Sequence, residues 1–421
     1  MGSGLQVLDR IIHAAASLCV LLGVAILLSS NRRAIRPRTV VAALAMQVGL
    51  GGLVLFVPIG RDLLRGVAAF VQTVLGYGDQ GVAFLFGALV EPKMMEVFGG
   101  TGFIIALRVL PQIVYVSALI ALLYHVGLMQ WLARAVGGLL RRCLGTSRIE
   151  SFAAVATIFI GQSEIAVALR PYLHALTRAE LFAIMTGGMA SVAGSILAGY
   201  AALGVPVDFL LAASFMAIPG GLLYAKILMP TTEATNIVST KGEFGDRRAA
   251  NIFEAIADGT QKGLVIAVAV AAMLLSFIGL IALVNGLVGW AGSAVGAPGL
   301  RVEAMLGQVF APLAWLLGVP WDKAPLIGSA IGEKIVFNEF LAYAHLSPAL
   351  RSGELDTRTA AIASFALCGF ANLSSIGIQL ASFGSLIPER RSELASLGLR
   401  AVAAGTLSNL TSATIAGLFV S

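Results

Sequence analysis

Residues 150–174 read ESFAAVATIFIGQSEIAVALRPYLH, and residues 321–347 read WDKAPLIGSAIGEKIVFNEFLAYAHLS. Each stretch is hydrophobic, yet too polar and too broken to cross a bilayer as one simple helix. Irregular backbone survives at membrane depth only where protein or a water-filled cavity satisfies its polar groups. Both stretches precede a long apolar span, one in each half of the chain. Paired broken segments of this kind point to inverted repeats, the plan of many transporters, with a solute site where the breaks meet.

The surrounding composition puts both stretches in a membrane. Of 421 residues, 58% are hydrophobic and 12% charged, with 48 glycines; mean hydropathy is +0.91. Soluble domains carry about 25% charged residues, so this chain has too few to wet the surface of a 43.5 kDa globule. A soluble enzyme, a disordered chain and a nucleic-acid binder are all poor readings on that ground. Cys19, Cys143 and Cys368 are odd in number and widely spaced, and so form neither a disulfide framework nor a metal pattern.

A membrane-crossing helix needs ~20 mostly apolar residues. Suitable stretches lie at 11–30, 40–59, 102–125, 180–204, 208–229, 263–288, 357–386 and 395–420, which predicts an all-α protein of eight transmembrane helices. The first runs into an arginine-rich turn without a cleavage pattern and reads as a retained helix. Residues 82–96 and 302–317 read as short interfacial helices, and 127–143 as an amphipathic helix with a basic face, suited to a membrane surface. Lysine and arginine mark the cytoplasmic side. Arg32, Arg33, Arg36 and Arg38 follow span one, and Arg134, Arg141, Arg142 and Arg148 follow span three. Lys241, Arg247, Arg248 and Lys262 follow span five, and Arg390 and Arg391 follow span seven. All four clusters fall on one side of an eight-span chain, which puts both termini in the periplasm of a bacterial inner membrane.

Charged residues inside a membrane usually mark a pathway or a binding site. The first broken segment carries Gln162, Ser163 and Glu164 after Gly161; the second carries Glu333 and Lys334 after Gly332. Glycine beside each carboxylate suits a hairpin tip. Span seven is interrupted by Phe370-Ala371-Asn372-Leu373-Ser374-Ser375, and span four has a weak point at Gly187-Gly188-Met189-Ala190-Ser191. Each residue also has a structural reading: the carboxylates pin hairpins, with Lys334 neutralising its neighbour, and Asn372 and Ser375 serve as helix–helix glue. His13, His125, His174 and His345 are scattered and read as interface residues. No phosphate loop is present, which argues against a built-in ATPase. Carboxylates accept strongly from hydroxyl groups, carboxamides offer a donor and an acceptor together, and Phe370 offers an apolar face. The set suits a neutral polar solute, a sugar-like moiety joined to a heterocycle.

The strings GQSE (161–164), RPYL (170–173), GGMASVAGSILAGY (187–200), FAPLAWLLGVPW (310–321), GEK with NEFLAY (332–343), ALCGFANLSSIGI (366–378), RRSELASLGLRAV and SNLTSATIAG occur in order over the last two-thirds of the chain. Together they resemble the concentrative nucleoside transporter family, in its eight-span bacterial form. The resemblance implies a homotrimer of secondary active transporters, each protomer with its own nucleoside site and no enzymatic activity. Gln162, Ser163 and Glu164 would bind the nucleobase; Glu333, Asn372 and Ser375 the ribose; Phe370 would lie beside the solute. A sodium site would use Thr157, Ile160, Ser191 and Val192, the apolar pair lending backbone carbonyls.

It also implies a division by movement. Scaffold parts would be 1–81 (helices one and two), 101–149 (helix three and the amphipathic helix) and 231–300 (a cytoplasmic loop and helix six), with an interfacial helix at 82–100. The transport domain would comprise 150–230 (first hairpin, helices four and five) and 301–421 (interfacial helix, second hairpin, helices seven and eight), moving like an elevator. Two departures from the family pattern stand out. Thr157 replaces the usual Asn of sodium-coupled members, which keeps a proton, carried by Glu164, as the alternative to sodium. Ser163-Glu164-Ile165-Ala166 replaces Thr-Glu-Ala-Pro, which alters the hairpin bend. The expected function is nucleoside:cation symport; the rivals are a passive facilitator and a non-transporting nucleoside-binding receptor.

Overall fold

The computed structural model describes residues 2–91, 93, 104–233, 249–294, 296 and 299–420, and every regular element among them is helical. The first helices are α1 (Gly2–Leu27), α2 (Pro37–Leu55), α3 (Pro58–Phe86), α4 (Leu110–His125) and α5 (Leu128–Leu144). The first broken segment is α6 (Arg148–Ala168); α7 (Arg178–Ala190) and α8 (Gly194–Ala202) make span four. Spans five and six are α9 (Val207–Leu228) and α10 (Ile252–Ala294). Then come α11 (Val302–Leu316), the second broken segment as α12 (Ala324–Val336) and α13 (Glu339–Ser352), span seven as α14 (Thr357–Leu367) and α15 (Leu373–Leu386), and span eight as α16 (Arg391–Phe419).

Local chemistry explains several of these boundaries. Ser147 with Glu150 and Thr177 with Glu180 form reciprocal capping boxes at the starts of α6 and α7, each satisfying backbone N–H groups left open by the first turn. Pro37 and Pro58 stand at the starts of α2 and α3, where a missing N–H costs nothing. Side chains of Asn338, Asp356 and Asn372 accept from backbone N–H groups to cap α13, α14 and α15.

Nine helical stretches among the described residues are long and apolar enough to cross a membrane. Seven match expected spans. The eighth expected span, 357–386, is absent from that set because its helix stops at Leu367 and restarts at Leu373. The two additions are α6 and the stretch Pro58–Val90. The latter corrects the expected interfacial helix at 82–96: helix starts instead at Pro58, and a boundary at 81/82 would cut α3. Its amphipathic sequence, with Arg61, Asp62, Arg65 and Asp79 among apolar residues, conceals its length from a hydropathy reading. Residues 92 and 94–96 of that expectation, residues 97–100 of the 82–100 division, residues 102 and 103 of span three, and Lys241, Arg247 and Arg248 of the third basic cluster lie outside the described residues.

The other three clusters meet at one end of the bundle. The Ser30 N–H donates to the Leu228 carbonyl (2.8 Å), Thr39 Oγ1 to that of Leu144 (3.0 Å). Lys226 pairs with Glu150, and Arg390 donates to the carbonyls of Leu173 and Leu176. At the opposite end arginines serve as helix caps. Arg351 donates to the carbonyls of Ala202 and Leu203, and Arg358 to those of Gly318 and Gly417. Terminal carbonyls carry partial negative charge, which accounts for cations placed there.

Both ends of α6 and its following turn sit at the basic end, whereas α12 starts and α13 finishes at the opposite end. The two hairpins therefore enter from opposite ends and meet inside. Nearly every residue of α7, α9 and the second half of α16 is buried. α3 and α10 instead expose Phe70, Phe84, Leu275 and Trp290 outward. α4 packs along α10, but α1 and α2 pack on α9 and α16, with Gln47 Nε2 bonded to Ser412 Oγ at 2.9 Å. α2 also packs on α3 and α5.

Candidate functional site

The first hairpin turns at Gly161, whose φ of 85° and ψ of 176° lie in a region essentially confined to glycine. That break frees the preceding carbonyls and starts a new helical arm at Gln162. Span four breaks across Ser191–Ala193, the second hairpin across Phe337 and Asn338, and span seven across Cys368–Asn372. Four helical starts result, and all four line one cavity of about 280 Å³. It is bordered by Gly161–Glu164, Ala193 and Ile196, Asn338–Phe340, and Phe370, Asn372, Ser374 and Ser375. Its remaining wall is apolar, from Val265 to Leu274 of α10. Helix starts carry partial positive charge and open N–H groups, so they favour electron-rich ligand atoms. Glu164 and Glu339 set two carboxylates among them.

The polar side chains are bonded across the breaks. Gln162 Nε2 donates to Ser375 Oγ (3.0 Å), and Gln162 Oε1 accepts from Gln379 Nε2 (3.2 Å), joining the first hairpin to span seven. Asn372 Oδ1 accepts from the Ser375 N–H and the Ser374 hydroxyl, while its Nδ2 donates to Glu339 Oε2 at 2.8 Å. Glu339 Oε1 accepts from Tyr200 Oη at 2.8 Å, and Tyr200 packs against the rings of Phe340 and Tyr343. The Phe370 N–H donates to the Ser191 carbonyl (3.2 Å), tying the breaks of spans seven and four together. Behind them, Asn409 Nδ2 donates to the carbonyls of Ala190 and Cys368, and its Oδ1 accepts from Lys334 Nζ. A Cβ at Gly369 would stand 2.3 Å from Asn409 Oδ1, so this junction requires glycine.

Six of the seven expected solute residues line the cavity: Gln162, Ser163, Glu164, Phe370, Asn372 and Ser375. Glu333 is not among them. Its oxygens accept from Ser329 Oγ (3.0 Å) and meet His345 Nδ1 (2.7 Å), across the seam between α12 and α13. The reason is rotational: Glu333 lies a turn before the hairpin tip, whereas Glu339 follows the Asn338 cap at the tip itself. An asparagine cap followed by an acidic residue was the available signal. Tyr200 and Gln379 carried none, being single polar residues within apolar runs, and Asn409 stands in a run of hydroxyl residues from which nothing singled it out. Lys334 donates to the Ala366 carbonyl and Asn409 rather than to Glu333. His345 and His174 pair with Glu333 and Glu389, so two of the scattered histidines do meet acids.

The four expected sodium positions cluster where α6 and span four break. Thr157 Oγ1 donates to the carbonyls of Ala153 and Ala154, and Ser191 Oγ to that of Gly187. Both hydroxyls keep their lone pairs for a cation. Gly194 lies against the carbonyls of Ile158 and Phe159, Ile160 is half-buried and Val192 buried. An all-oxygen donor set of hydroxyls and carbonyls fits a hard cation.

Two opposed hairpins and two broken spans around a solute-sized polar cavity define a secondary-transporter architecture. Comparison with known proteins narrows the class. Sequence profiles of the Na+ dependent nucleoside transporter N-terminus and C-terminus match residues 16–89 and 209–417, and one described as nucleoside recognition matches 106–206. Nucleoside permease NupC of Helicobacter pylori is 46% identical over 97% of this chain and 98% of its own. CNTnw in an inward-facing substrate-bound state is 50% identical, with a TM-score of 0.93 over 98% of this chain and 99% of that one. An outward-facing CNTnw variant gives 0.95 at 49% identity, over 98% and 99% respectively. The chain belongs to the concentrative, Na+-dependent nucleoside transporter family.

Proposed function

We propose that this protein is a secondary active nucleoside:cation symporter that imports nucleosides across a bacterial inner membrane. The observation that carries this reading is the meeting of two hairpin tips and two span breaks around one cavity. On it, Gln162, Ser163 and Glu164 hold the nucleobase. Glu339, in place of Glu333, holds the ribose with Asn372 and Ser375, and Phe370 lies against the solute. Sodium is the coupling ion, bound by Thr157 and Ser191 hydroxyls with carbonyls near Ile160 and Val192; a proton is the alternative. The hairpin-bearing unit of α6–α9 and α11–α16 moves, elevator-like, past a frame of α3, α4 and α10. The exposed apolar faces of α3 and α10 suit lipid and the other copies of a homotrimer. The basic end is cytoplasmic by charge, which leaves both termini periplasmic.

The test is uridine uptake into proteoliposomes with sodium and proton gradients imposed separately. Accumulation above equilibrium under inward sodium alone is expected. Uptake that only equilibrates would mean a passive facilitator, and uridine binding without counterflow a receptor. Accumulation driven by pH alone in sodium-free buffer would transfer the coupling to protons.

A further inference from the structure

We propose that His345 and Glu333 form a proton-binding site in the second hairpin, separate from the nucleoside cavity, that makes uptake depend on pH at the periplasmic face. Glu333 sits on α12 and His345 on α13, so their 2.7 Å contact joins the two arms of the hairpin. The carboxylate side chain is only 4% exposed, whereas the imidazole is 41% exposed. The ring borders a second cavity of about 450 Å³, between the last turns of α10, the start of α11, and α13. The pair thus combines a buried carboxylate with an imidazole that reaches open space.

The surroundings leave Glu333 dependent on that imidazole. On its own arm, Ser329 supplies a neutral hydroxyl, and neighbouring Lys334 is committed to the Ala366 carbonyl and Asn409. Glu303 in the first turn of α11 and Arg301 just before that helix face the cavity that His345 borders. Both oxygens of Glu303 accept from Asn285 Nδ2 of α10, at 3.0 and 2.9 Å. α10 contributes no charged residue to the described lining, Asn285 being its polar group there. An uncompensated buried carboxylate is costly, and histidine changes charge between pH 5 and 8. With a proton on the ring, Glu333 faces a cation and the arms are held by an ion pair. Without it, the arms are held by a neutral hydrogen bond beside an unpaired buried charge. The proton enters at Nε2 from the cavity, while Nδ1–H continues to donate to Glu333. Hairpin stability, and with it the transport cycle, therefore follows the loading of this pair.

This inference rests on the symport reading, and two measurements keep them distinguishable. The first is sodium-driven uridine uptake with pH varied from 5.5 to 8.5 on the face where the second hairpin opens. Wild type should change at least fivefold across that range. His345→Gln and Glu333→Gln should be flat, and His345→Arg, a permanent cation, should stay near the wild-type acid rate throughout. Uridine Kd should remain within threefold in each, because neither residue lines the nucleoside cavity. The second measurement is the imidazole resonance of His345 in histidine-labelled protein, assigned by its loss in His345→Gln. It should titrate with pH, and its midpoint should move in Glu333→Gln. A flat wild-type profile, or variants that keep the wild-type profile, would overturn the proposal, as would an unmoved midpoint. Absence of uridine uptake at every pH alongside a Glu333-dependent titration would sink the symport reading and leave the proton site standing.

Discussion

Glu339 Oε2 accepts a 2.8 Å hydrogen bond from Asn372 Nδ2, joining the tip of the second hairpin to the break in span seven. The two residues are 33 positions apart and each stands at the start of a helix, Glu339 just after a cap and Asn372 as one. A ligand reaching either meets both. On the proposed reading the ribose role passes to Glu339, an acceptor that is already oriented.

Hydrogen bonds to a charged group are worth about 1.5–3 kcal/mol. Glu339→Gln should thus weaken uridine binding by roughly one to two orders of magnitude, while Glu333→Gln should change it less than threefold. Deoxy analogues lacking the bonded hydroxyl should lose less with Glu339→Gln. Titration calorimetry on both variants decides this; equal losses for uridine and its deoxy analogues would remove Glu339 from the sugar site.

Gln162 and Ser375 are bonded to each other and both line the cavity. Gln162→Ala and Ser375→Ala should each weaken uridine binding, and the double variant should lose less than the two effects combined. Contacting residues commonly show coupling of about 0.5–3 kcal/mol. Additive losses in a double-mutant cycle would mean that the bond does not organise the site.

The Thr157 hydroxyl is held by its own helix with lone pairs to spare. Under sodium coupling, Thr157→Ala should abolish the sodium dependence of uridine binding, and Thr157→Asn, with a stronger oxygen donor, should lower the sodium concentration needed. Binding measured across a sodium series reads this directly. Two variants with wild-type sodium dependence would exclude the residue from the cation site.

Gly161→Ala should destabilise the first hairpin by about 1–3 kcal/mol, the usual cost of holding a side chain in sparsely populated backbone space. The new Cβ would also stand 3.0 Å from that of Ala193. A lowered Tm in detergent, partly restored by saturating uridine, is the expected result. An unchanged Tm would show that the tip relaxes freely.

Lys226 and Glu150 form a buried ion pair at the basic end, 9% and 2% exposed in their side chains. Removing one partner of such a pair typically costs about 3–5 kcal/mol, whereas replacing both is far milder. Lys226→Met should therefore lower Tm more than Lys226→Met combined with Glu150→Gln. The reverse order would mean that Glu150 matters only as a helix cap.

Apolar runs, capping pairs and glycine-flanked carboxylates are local properties, and a local reading suffices for them. That is why eight apolar spans, two broken segments and the breaks at Ser191 and Asn372 were legible in the residues alone. The length of α3 was not, because an amphipathic helix has no continuous apolar run. Rotation about a helix axis was harder still. Glu333 and Glu339 both lie in one broken segment, and only the packing of α12 on α11 and the reversal at Asn338 direct the first to His345 and the second to Asn372. Gln379, Tyr200 and Asn409 likewise gained their places through partners more than a hundred residues away. The sequence alone determined a membrane bundle with two opposed interruptions. Which carboxylate faces the cavity was decided by tertiary packing, because a helical side chain's direction depends on its turn and on what closes against it.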